Sequence, residues 1–136
     1  MIQSEKVDVF YRQLGKIFYA VAMSDKTIRE EEYLIFQKHI ENDWVEKENL
    51  LTNKSENSVN QIKTMFDWMN RNKVETSIVL EDFEKYKNEN DEFFTPEINE
   101  SILKTANAIA GLNYNKNKSE LIFLTKLQNI LKAKIN

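Results

Sequence analysis

Two glycines and one proline in 136 residues leave this chain few places to turn sharply. Strand folds need turn residues about every 8–12 positions, so a chain this poor in them must travel in long helices. A single domain spanning residues 1–136 is expected, large enough to bury roughly two-thirds of its unfolded surface around one core. Hydrophobic residues make up 41% and charged residues 30%, the balance of a globular chain.

Apolar spacing divides the chain into six helices. From Ser4 to Met23, Val7, Phe10, Tyr11, Leu14, Ile17, Phe18 and Val21 recur at intervals of three and four, one face of a helix. A second run, with Tyr33, Phe36 and Ile40 in register, is expected to last to Asn42 or Asp43, and "WVEKENLLTNKSEN" reads as a loop, alone or with a turn of helix in it. Ser58 followed by Gln61 is a capping-box pattern that introduces a third helix ending in "NRNK". Thr76 or Ser77 is expected to cap a fourth, ended by "NENDEFF". Thr95-Pro96-Glu97 supplies a capping hydroxyl, a proline at the first helical position and an acid near the positive end of the dipole. That fifth helix stops at Gly111, and a sixth runs from about Lys118 to Lys134.

The second and last helices each begin on a similar phrase. Laid over each other, "YAVAMSDKTIREEEYLIF" and "NAIAGLNYNKNKSELIFL" match Ala20 with Ala108, Ala22 with Ala110, Asp25 with Asn113 and Glu32 with Glu120. The pattern predicts two pseudo-symmetric helix–loop–helix repeats within an all-α domain. It resembles the tellurite-resistance TerB-like helical domain family, on Ala20, Ala22, Asp25 and Glu32 and again on Ala108, Ala110, Asn113 and Glu120. The resemblance implies an all-helical bacterial protein of the stress-response type, with acidic loop positions that hold a divalent cation, Ca²⁺ or Mg²⁺. Carried onto this chain, the cation ligands would be Asp25, Glu31, Glu32, Asn113 and Glu120. Lys26 stands where that family usually has glycine.

The same acids have an ordinary helical explanation. Glu30, Glu31 and Glu32 fall in a first turn, where the dipole favours negative charge. Glu120 sits three residues after Asn117, where its side chain can reach back to a cap amide. Asp25 suits a turn that bonds the backbone ahead of it.

Other chemistry finds little support. The absence of cysteine removes disulfides, thiolate catalysis and zinc–thiolate sites together. His39 is the one histidine, and a helix-surface role suits it better than zinc ligation. No nucleophile elbow or phosphate-cradling glycine loop is present, so a non-enzymatic protein is expected. Trp44 and Trp68, with Phe66 and Phe94, are expected to fill a core or pin a loop. A net charge of −3 argues against nucleic acid, and no apolar run is long enough to insert in a membrane. "MIQSEKVDVFYRQ" lacks the apolar segment of a signal peptide, which points to a cytoplasmic protein. The expected partner is another protein, and the oligomeric state stays open.

Overall fold

The computed structural model describes residues 4–24, 26–46, 59–111 and 118–132. Among these the fold is all-helical, with no strand. The elements are α1 (Ser4–Ala22), α2 (Glu30–His39) continued by a π turn (Ile40–Trp44), α3 (Asn60–Arg71), α4 (Val79–Glu89), a 3₁₀ turn (Asp91–Phe93), α5 (Pro96–Ala110) and α6 (Lys118–Lys132).

Helix α1 is the centre of the molecule. Its predicted stripe is buried, and so are Tyr19, Ala20 and Ala22. The second half of the helix is therefore enclosed nearly all round, the condition of an interior helix rather than a surface one. It packs against α3, α4, α5 and α6. The α1–α3 crossing is closest at Gly15: a Cβ there would lie 2.5 Å from the Ile62 carbonyl oxygen and 2.9 Å from the Met65 Cβ. Only a residue without a side chain lets the two backbones meet so tightly.

Aromatic rings fill the space around α1. Phe36 of α2 stacks on Phe66 of α3 with centroids 4.2 Å apart, and Phe18 tilts against both Phe36 and Trp44. At the other end Phe10 stacks on Phe93 at 4.7 Å and meets Phe94 edge-on. Offset and edge-on pairs of this kind each add about 0.5–1.5 kcal/mol beyond the area they bury. Trp68, expected to fill a core or pin a loop, is half-exposed on α3 and does not belong to the core.

The second helix runs further than the 3.6-residue period implies. Beyond His39 it widens into a π turn, with the Val45 amide bonded to the Ile40 carbonyl five residues back. The segment expected as a loop, alone or with a turn of helix, begins helical, from Trp44 through Glu46, and the rest of it lies outside the described residues. Trp44 is fully buried, and its indole N–H donates to Thr105 Oγ1 of α5 at 3.0 Å.

Helix boundaries also differ in their chemistry. The expected Ser58–Gln61 capping box falls on Ser58, which lies outside the described residues; Gln61 Oε1 accepts from Arg12 Nε at 3.1 Å. Neither Thr76 nor Ser77 caps α4 with its hydroxyl; both donate their amides to Glu75 Oε1. Thr95 does cap α5 as expected, accepting from the Ile98 amide at 3.2 Å. Helix α3 ends in a Schellman turn: Val74 N–H bonds Met69 O, Lys73 N–H bonds Asn70 O, and Lys73 takes a φ of 49°.

Candidate functional site

The two acidic first turns are built alike. Glu32 is the third residue of α2 and Glu120 the third of α6, and each is only 1% exposed. Glu32 Oε1 accepts the Arg29 backbone N–H at 2.8 Å, which ties the cap residue to the first turn. The Arg29 guanidinium has no acceptor to return that bond, so this is half of a capping box. The cap reading of Glu32 is thus visible in its hydrogen bond. Glu30 and Glu31 project to solvent from the same turn.

Asp25 and Asn113 lie outside the described residues. Lys26, next to Asp25, adopts a left-handed φ of 72°, the conformation that favours glycine. Hard cations require several oxygen donors converging on one point. Among the described residues no group of three or more His, Cys, Asp or Glu side chains converges in this way. The described part of the predicted ligand set, Glu31, Glu32 and Glu120, therefore does not make a cation cage by itself.

Charge clusters elsewhere have structural roles. Tyr33 donates its hydroxyl to Asp67 Oδ1 at 2.7 Å, and Lys63 reaches Asp67 Oδ2 at 3.1 Å. Burial first, and then the Asp67 carboxylate, push the Tyr33 hydroxyl pKa above its usual value. This triad pins α2 to α3. Its Lys63–Asp67 pair is partly exposed and worth little alone.

His39 proves to be more than a surface residue. It is partly buried beside a groove of about 480 Å³ between α2 and α5, which Lys38, Asp43 and Lys104 also line. Desolvation lowers its pKa, the Asp43 carboxylate opposes that shift, and the Lys104 ammonium adds to it. The groove is mixed in charge, with bases near its start and acids near its end.

Helix α6 carries two adjacent exposed apolar side chains. Leu121 and Ile122 are both half-exposed. Leu121 opens onto a groove of about 310 Å³ with Leu103 and Leu124. Ile122 opens onto another of about 270 Å³ with Leu80 and Phe123. The periodic pattern of α6 puts Leu121, Leu124, Leu127, Gln128 and Leu131 in register; Leu124, Leu127 and Leu131 are buried, whereas Leu121 is half-exposed and Gln128 exposed. Adjacent leucine and isoleucine, which cannot both face one core, were the signal for the outer side.

Among the described residues no helix is long and apolar enough to cross a membrane. Comparison of the chain with family models, curated proteins and solved structures found no match.

Proposed function

We propose that this chain is a TerB-like domain of two related hairpins that acts as a non-enzymatic, cytoplasmic, stress-response-type protein-interaction module. One observation carries the reading: α6 holds two neighbouring apolar side chains half in water, Leu121 on a groove that mixes Leu103 and Leu124 with Asn107, Thr125 and Gln128, and Ile122 on one that mixes Leu80 and Phe123 with Ser24, Ser119 and Lys126. Single exposed leucines are ordinary, whereas contiguous apolar surface framed by grooves is what a protein partner covers.

The test is in-cell crosslinking of the wild type against a Leu121→Glu/Ile122→Glu variant. The reading expects a crosslinked partner whose yield collapses in the variant while circular dichroism stays unchanged. Equal yield from a folded variant retires the α6 face.

A second reading is a weak divalent-cation site between the two repeat loops. It is favoured by Glu32 and Glu120, two carboxylates equally buried at equivalent helix positions. Asp25 and Asn113 would have to complete the ligand set. Titration with Ca²⁺, Mg²⁺ and Mn²⁺, followed by amide NMR, distinguishes it. Saturable shifts in both first turns, lost in Glu120→Gln, support the site, and silence at millimolar metal removes it.

A further inference from the structure

The outward face of α2 and its π turn carries a pattern that the α6 face lacks. Leu34, Lys38, Glu41 and Val45 follow at spacings of four, three and four, and all are exposed, Leu34 by 53% and Val45 by 45%. These spacings keep them along one stripe of the helix. Apolar residues mark its ends, and a base and an acid lie between them.

The order is symmetric about the midpoint between His39 and Ile40. Leu34 and Val45 are equidistant from that point, and so are Lys38 and Glu41. A twofold axis through it would lay the helix antiparallel against its own copy, the arrangement an isologous contact requires. Leu34 would then meet the partner's Val45, and Lys38 would meet the partner's Glu41, each contact occurring twice. Had both central residues shared one sign, the same operation would have set like charges together.

We propose that this face is a self-association surface, and that its occupant is a second copy of this chain in antiparallel α2–α2 contact. The stripe from Leu34 to Val45 is about 18 Å long at helical rise. One helix wide, such a stripe buries only on the order of a few hundred Å² in total, below the range of stable specific interfaces, so the dimer is weak and concentration-dependent. Apolar ends supply contact area, and the paired charges fix direction and register. The inference is independent of the α6 reading, because no residue is shared between the two faces.

Sedimentation equilibrium over a wide concentration range tests it, with Lys38→Glu and Glu41→Lys as exposed, fold-neutral variants checked by circular dichroism. The wild type is expected to dimerise reversibly, more weakly as salt rises. Each single variant places like charges opposite each other and is expected to weaken self-association by about tenfold or more. Mixing the Lys38→Glu chain with the Glu41→Lys chain sets two acids on one copy against two bases on the other, and dimers are expected to return. Any of three results overturns the proposal: a wild type that stays monomeric at the highest concentration, single variants that dimerise like the wild type, or a mixture that fails to recover. Dimers insensitive to these variants but abolished by Leu121→Glu would place the contact on α6 instead.

Discussion

Lys26 and Lys73 hold backbone angles that suit glycine, with φ of 72° and 49°. A side chain in the left-handed region costs roughly 1 kcal/mol against glycine, whose freedom in the unfolded chain returns part of that. At Lys73 the Schellman geometry needs only the backbone, so Lys73→Gly is expected to stabilise by about 0.5–1 kcal/mol. A urea midpoint that falls would show that the lysine side chain has a role of its own. Gly15 is the converse case. Its missing Cβ is what lets α1 approach Ile62 and Met65, so Gly15→Ala forces the helices apart. The expected cost is about 1–3 kcal/mol, the range for overpacking a tight contact. The same urea experiment reads it, and an unchanged midpoint would mean that the crossing is looser than described.

Helices differ in how openly the chain announces them. Helix α5 was legible from Thr95-Pro96-Glu97 alone, because a cap is a local hydrogen bond and Thr95 makes it. The stripe of α1 was equally plain, since burial on one face imposes the helical period, while in α6 the period held for Leu124, Leu127 and Leu131 but not for the exposed Leu121 and Gln128. The π turn was not, because one added residue per turn departs from the only period being sought. Nor could Gln61 be known to face Arg12, 49 residues away, or Glu75 to accept the backbone amides of Thr76 and Ser77 themselves. Of the acidic positions, Glu32 and Glu120 were recognisable as third helical residues, while their near-complete burial was not readable from their charge. The π turn delivers Trp44 to Thr105, and Thr105→Val tests that link. It keeps the shape but strands a buried indole N–H, at a cost of about 1–3 kcal/mol. No loss of thermal stability would show that the hydrogen bond is dispensable. Beside the turn, His39 titrates below its ordinary value of 6.5 because burial disfavours the imidazolium. Between the folded and unfolded pKa values the unfolded chain binds more protons. The stability from this group is therefore intact above about pH 6.5 and lost as pH falls through that window. His39→Gln is expected to flatten the wild-type slope of urea stability there; identical slopes would mean that the histidine is no better solvated unfolded than folded.

At the scale of the whole molecule, one helix holds the rest together. Because α1 touches α3, α4, α5 and α6, none of these can leave without exposing part of it. Native-state hydrogen exchange is expected to find the slowest amides between Leu14 and Ala22, opening only with global unfolding. Exchange there as fast as in α4 would mean that the halves of the molecule open separately. Acidic and apolar surface features, by contrast, sit on α2 and α6, which pack on fewer sides. The centrality of α1 also has a consequence in time. It is the first of these helices to be synthesised, yet its closest neighbour, α3, begins only at Asn60. At roughly 5–20 residues per second, Phe10 waits on the order of ten seconds for Phe93 and Phe94, well after Phe36 and Trp44 have reached Phe18. During translation the future centre of the molecule is its stickiest part, and its first turns stay uncovered until Phe93 and Phe94 arrive.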